Sequence, residues 1–260
     1  MAWKIAYPMY HFPALAAAHK LWLAGLARHL QEALGEAVTA LTPDQLAGHW
    51  ESPQLLLSQA CGYPLRHDLQ DTVRVVGCFR YGLPSGAFYH SVIIAAKGHA
   101  RPADIDSWLG HHRLCINGFD SQSGWNALYG RPGLRAYLPT LAKTATISGA
   151  HKQSVAMVAH GEADWAAIDC VTLALMQRHN IKPIQDIMII GFTPATPGLP
   201  LITAARNAPL LPKIRTAIDH ALTDHNLTGA RKVFCISGFA HMTCAHYREH
   251  PLFAKMPISA

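Results

Sequence analysis

Charge is scarce in this sequence: Asp, Glu, Lys and Arg make up 15% of its 260 residues, against about 25% in an ordinary soluble domain. Basic side chains outnumber acidic ones by 22 to 16, a net charge of +6. There is no dense Lys/Arg run, no RNA-binding aromatic signature and no basic helical stripe, so nothing supports a nucleic-acid role. A mild positive excess suits an anionic small ligand. No CxxC pair occurs among Cys61, Cys78, Cys115, Cys170, Cys235 and Cys244, which argues against a zinc ribbon or a thioredoxin-like motif. These thiols lie mostly in apolar runs and are expected to be buried and free. Also missing are the nucleophile elbow G-x-S-x-G, the P-loop, the H-E-x-x-H pair and the G-x-G-x-x-G fingerprint. The balance therefore favours binding over turnover, with no catalytic residue, metal or cofactor expected. Long uninterrupted apolar runs are lacking too. The stretch from Ala14 to Leu34 is broken by His19, Lys20, Arg28, His29, Gln31 and Glu32, which marks an amphipathic helix and no membrane insertion. No charged-then-apolar leader precedes Lys4–Pro8, so the expectation is a cytoplasmic protein, or a periplasmic one whose leader has been removed.

What is present is core material, with half of the residues hydrophobic. Strand-like runs alternate with helical segments, which predicts an α/β fold with largely parallel sheets. Strands are expected at Lys4–Pro8, Leu55–Leu57, Val73–Gly77, Ser91–Ala96, near Leu114, at Thr144–Ile147, Trp165–Cys170, Ile187–Gly191, Gly198–Ile202 and Val233–Ile236. Helices are expected at 14–34, from near Pro102, after Gly124, and at 153–160, 171–179 and 211–222, with a polar turn at Thr42-Pro43-Asp44 and a polar, His-bearing tail. The Pro/Thr-rich stretch Thr193–Gly198 is the best linker. Residues 1–93 with 197–260 would form one lobe and 94–196 an inserted second lobe, with a ligand cleft between them.

Chemistry concentrates in two strand-to-helix loops. Asp120-Ser121-Gln122-Ser123-Gly124 offers hydroxyls, a glycine and the amides of a following helix, the ingredients of a site for a tetrahedral oxyanion; the same residues could simply cap a helix. Ser148-Gly149-Ala150-His151 repeats the pattern, with His151 able to donate to an anion. Converging amides at strand carboxyl ends are where open α/β sheets bind ligands. Asp169, at the end of a buried strand, either caps the next helix or meets the ligand. Gln59, Tyr63, Tyr89 and Tyr7 are further candidates for the cleft. A Ser123–His151 nucleophilic pair is conceivable but has no evident third member. The donors in His241–His246, among 17 histidines, match no zinc spacing, and His111-His112 reads as a helix-end pair.

At Asp120–Gly124, Ser148–His151, Gly161–Asp169 and Pro197–Pro200 the chain resembles the phosphate/phosphite/phosphonate substrate-binding proteins of ABC transporters, which have the type II periplasmic-binding-protein fold. The resemblance implies two hinged lobes closing on an oxyanion. It implies that Ser121, Ser123 and Gly124 bind the anion, that His151 and Asp169 line the second-lobe wall, and that an ABC permease is the partner. Gln122 stands where small hydroxyl residues are common in the family, implying a reshaped pocket. Two alternatives stay open on the same scaffold: a cytosolic enzyme resembling those of menaquinone or thiamine-pyrimidine synthesis, and a ligand-sensing module.

Overall fold

The structure is a computed structural model that describes residues 2–42, 48–83, 86–98 and 102–253. The chain divides into two compact units, Met1–Ala87 with Pro197–Glu249, and Phe88–Thr196 with His250–Ala260. The expected boundary at residues 93/94 falls inside the Ser91–Ala96 strand, which lies in the second unit. Residues 250–253 also group with the second unit and not the first.

In the first unit six strands run in the order Ile236–Ala240, Val73–Tyr81, Pro200–Ala204, Leu55–Gln59, Trp3–Ala6, Val38–Ala40. Trp3–Ala6 pairs in parallel with both neighbours, whereas Pro200–Ala204 enters antiparallel to both of its own. The largely parallel sheet expected from the alternation of elements is thus a mixed one, because the returning chain inserts against the direction of the strands beside it. The helix Ala16–Leu34 buries Trp22, Leu23, Leu26 and Leu30 at helical spacing. It ends at Gly35, whose φ of 72° lets its N–H reach the Gln31 carbonyl. It packs against the helix Leu211–Thr223, which buries Ile214, Ala217, Ile218 and Ala221.

In the second unit the strand order is Ile187–Phe192, Ser91–Ala96, Trp165–Asp169, Leu114–Ile116, Thr146–Ile147. Ser91–Ala96 is antiparallel to both neighbours, and the remaining pairings are parallel. Ile93, Leu114, Trp125, Leu138, Trp165 and Ile190 belong to its core. The buried Trp165 indole is satisfied by donating to the Leu109 carbonyl at 3.1 Å.

Three further expectations are corrected. After Gly124 there is no α-helix but two short 3-10 stretches, Asn126–Gly130 and Pro132–Leu134, since Gly130, Pro132 and Gly133 interrupt the repeat. The run Val233–Ile236 ends the helix Thr228–Val233 and only then enters the strand Ile236–Ala240, with Cys235 at φ 57° making the turn. A short apolar run does not distinguish these states. The His-bearing tail is not polar throughout. It forms the helix Cys244–Arg248, with Thr243 and His246 in a capping box, and Tyr247 and Phe253 are fully buried. The turn expected at Thr42-Pro43-Asp44 lies beyond Thr42 outside the described residues. No helix among the described residues is long and apolar enough to cross a membrane.

Candidate functional site

The parallel strands of the second unit place the ends of Leu114–Ile116, Thr146–Ile147 and Trp165–Asp169 along one sheet edge. The antiparallel register Ser91↔Asp169 brings the start of Ser91–Ala96 to the same edge. Four segments that carry hydroxyls, an imidazole and a carboxylate therefore meet there.

The loop after Ile116 is held tightly from within. Ser121 Oγ accepts from Gly124 N at 3.0 Å, and Asn126 Nδ2 donates to the carbonyls of Phe119 and Ser121. The amides of Trp125 and Asn126 turn to the Ser121 carbonyl and that of Ala127 to Gln122 O at 2.7 Å. An added Cβ on Gly124 would overlap Asn117 Oδ1, so the close approach of Asn117 requires glycine at this position. From outside, Ser91 Oγ donates to the Ser123 carbonyl at 2.7 Å. Ser91 itself exchanges bonds with Thr193, at 2.9 Å in each direction.

The second loop leads into a nine-residue helix, His151–Ala159, whose N-cap Ala150 provides no side-chain bond. Ser148 Oγ instead contacts Ser154 Oγ at 2.7 Å. The first-turn amides thus carry no side-chain cap, the arrangement that attracts anions. His151 Nε2 lies 2.7 Å from Ser123 Oγ, so the fold joins the two loops through the pair. Its other ring nitrogen, Nδ1, is buried with no hydrogen-bond partner. Burial pushes the imidazole down to about 4, which keeps it neutral at pH 7. A Ser–His pair whose far nitrogen meets no acid lacks the orienting third member of a hydrolytic triad.

The remaining predicted residues divide. Asp169 Oδ1 accepts from the amides of Val171 at 2.6 Å and Thr172 at 2.9 Å, capping the helix Cys170–Arg178. The neighbouring Cys170 thiol is pushed up to about 12 by burial, ahead of the Asp169 charge, so no reactive thiolate forms there. Tyr89 is buried in the two-residue strand Phe88–Tyr89. Gln122, expected to reshape the pocket, is fully buried, and its Nε2 donates to the Leu252 carbonyl at 3.0 Å. In the first unit, Tyr7 and Gln59 meet at Tyr81, with Tyr7 Oη 2.8 Å from Tyr81 Oη and Gln59 Nε2 donating to that oxygen at 3.1 Å. Gln59 Oε1 is buried with no hydrogen-bond partner. Tyr63 stands apart from this group, in the helix Gly62–His67, with its ring 4.3 Å from that of His67. Sequence reasoning missed Tyr81, Ser91 and Asn117. Ser91 left the only trace, as a lone polar residue opening an apolar strand.

Among the described residues no group of three or more His, Cys, Asp or Glu side chains could hold an ion, and none of the six cysteines is in a disulfide. His246 Nδ1 accepts from Thr243 N at 3.1 Å, and the His112 ring stacks on Trp108 at 4.0 Å.

A family model described as the periplasmic phosphonate substrate-binding protein of ABC transporters matches residues 17–247. No curated protein matches in sequence. Among solved structures, PhnD1 of Prochlorococcus marinus in complex with methylphosphonate superposes with a TM-score of 0.72 at 14% identity, covering 95% of each chain. The binding-protein component of a phosphonate ABC transporter from Pseudomonas aeruginosa gives 0.69 at 14% identity, over 95% of this chain and 83% of the other. A Xanthomonas citri protein bound to ATP gives 0.67 at 15%, over 97% and 96%. These likenesses show the periplasmic-binding-protein fold.

Proposed function

We propose ligand capture as the role of this chain, which belongs to the family of periplasmic phosphonate substrate-binding proteins of ABC transporters. The ligand is a small phosphorus oxyanion of the phosphonate, phosphite or phosphate class. Ser121 and Ser123 present hydroxyls on one side, where Gly124 keeps the loop open to close approach, and His151 with the uncapped first turn of its helix presents donors on the other. The observation that carries the reading is the 2.7 Å Ser123–His151 contact at that helix start, with His151 Nδ1 buried and unpartnered. A neutral imidazole and a serine hydroxyl hold an oxyanion by hydrogen bonds and not by charge, which spares the desolvation of a buried ion pair. Asp169 supports the site from its cap on the next helix. Tyr7, Gln59 and Tyr81 form a second candidate group in the first unit, and Tyr63 and Tyr89 stay as further candidates. In this reading the protein works in the periplasm and delivers its ligand to an ABC permease, with no chemical step of its own.

Titration calorimetry with phosphate, phosphite, methylphosphonate and 2-aminoethylphosphonate tests the assignment. Binding of at least one of them is expected, with Ser123→Ala and His151→Ala each weakening it about tenfold or more, as loss of a hydrogen bond to a charged group does. If millimolar concentrations of all four leave the protein unbound and its melting temperature unmoved, the reading is wrong. Tyr81→Phe tests the first-unit group separately by the same titration.

A further inference from the structure

The Gln122 carboxamide lies between two serines assigned to the anion, yet its bond is to the far end of the chain. After the helix Cys244–Arg248 the chain joins the second unit at His250 and makes the 3-10 turn Pro251–Phe253. Phe253 is fully buried, and Leu252 N donates to His250 Nδ1 at 3.3 Å. This turn packs on the Asn126–Gly130 stretch that continues the serine loop. The absence of a side chain at Gly130 makes room for it, since a Cβ there would meet Leu252 Cδ1 at 2.9 Å and Pro194 at 3.0 Å. Gln122 Nε2 then closes onto the Leu252 carbonyl.

We infer that Gln122 is a positioning residue, which acts through the Leu252 turn to set the Ser121–Gly124 loop for its ligand. A buried primary amide is costly to leave without its acceptor, so the side chain follows the Leu252 carbonyl. Its backbone carbonyl accepts from Ala127, which ties that choice to the loop's own turn. Ser91 holds the loop from one side through the Ser123 carbonyl, and Leu252 holds it from the other through Gln122. With either support gone, the hydroxyls of Ser121 and Ser123 lose the alignment that binding requires. This inference rests on the oxyanion reading of those serines.

The test is a double-mutant cycle on the full chain, read as the Kd for methylphosphonate or for whichever of the four anions binds best. Gln122→Ala is expected to raise Kd about tenfold. A tail variant, Leu252→Gly with Phe253→Ala, is expected to do the same, and combining the two adds little, because they remove one linkage. Equal factors for Gln122→Ala in both backgrounds would mean that Gln122 touches the ligand directly, and an unchanged Kd would mean that it does neither; either result overturns the inference. A parent protein that binds none of the four anions sinks this inference together with the functional reading, whereas binding with an additive cycle sinks this one alone. Should the tail variant unfold, hydrogen exchange in the parent decides. Coupling is reciprocal, so saturating anion must slow exchange at the His250, Leu252 and Phe253 amides, and no slowing overturns the proposal.

Discussion

The two serine loops of the second unit look alike in sequence and use their backbones in opposite ways. Around Ser121 the amides of Gly124, Trp125, Asn126 and Ala127 turn inward to Ser121 Oγ and to the carbonyls of Ser121 and Gln122. That loop can offer a ligand chiefly its side-chain hydroxyls. Around Ser148 the helix His151–Ala159 starts without a side-chain cap, so it offers amides and an imidazole. The difference teaches that a Ser/Gly-rich strand-to-helix loop announces polarity but not which of its polar groups are available. Availability depends on whether a regular helix follows, and after Ser121 the buried Trp125 and the glycines beyond it prevent one.

The largest effect that would break this comparison is at the anchor of the first loop. Trp125 is 1% exposed and packs edge-on against Phe119 at 5.2 Å and Tyr129 at 5.9 Å. Trp125→Ala is expected to cost about 3–5 kcal/mol in urea unfolding, in line with large aromatic deletions. A loss below roughly 1 kcal/mol, the size of a surface change, would show that the loop is not built on this side chain.

The two loop glycines sharpen the contrast further. Gly124→Ala meets Asn117 Oδ1 and is expected to cost about 1–3 kcal/mol as an overpacked site. Adding Asn117→Gly should recover much of that loss, because the obstacle is a side-chain tip. Gly149 has open space around it but φ +81°, so Gly149→Ala is expected to cost only about 1 kcal/mol, and no neighbouring deletion should rescue it. Chemical denaturation of these three variants separates a spatial requirement from a conformational one.

A smaller effect is expected with pH. The folded state holds His151 at about 4, below the ordinary 6.5 of the unfolded chain. Between those values the unfolded chain binds the extra proton, so this contribution to stability is complete above pH 6.5 and is lost as pH falls toward 4. Burial lowers His49, also to about 4, as well as His19, His90 and His250, and these act in the same direction. Melting curves from pH 7 to 4 should slope downward, and His151→Gln should flatten part of that slope. An identical slope in the variant would show that the imidazole is already hydrated in the fold.

Much of the architecture was legible because its signals are local. The periodicity of Ala16–Leu34, the uninterrupted apolar run Ser91–Ala96 and the helix at Leu211–Thr223 reflect burial of one face or of a whole strand, and burial repeats along the chain. The capping alternative for Asp169 was legible for the same reason, since its acceptors lie two and three residues away. Errors fell where a distant partner decides. The direction of Pro200–Ala204 depends on strands far earlier in the chain, and the bond from Gln122 to the Leu252 carbonyl spans 130 residues that no local pattern connects. Tyr81 stayed invisible because its strand continues past Gly77, and its partners Tyr7 and Gln59 come from other strands.

By itself the sequence determined the alternating α/β plan, the position of both serine loops and the polarity of their side chains. Each of these follows from side-chain chemistry and short-range spacing. Only the tertiary structure decided that Ser123 meets His151, that the imidazole's Nδ1 is buried and the ring neutral, and that Gln122 bonds to the C-terminal turn. Hydrogen-bond partners and desolvation are set by residues brought together across the chain, and no local pattern specifies them.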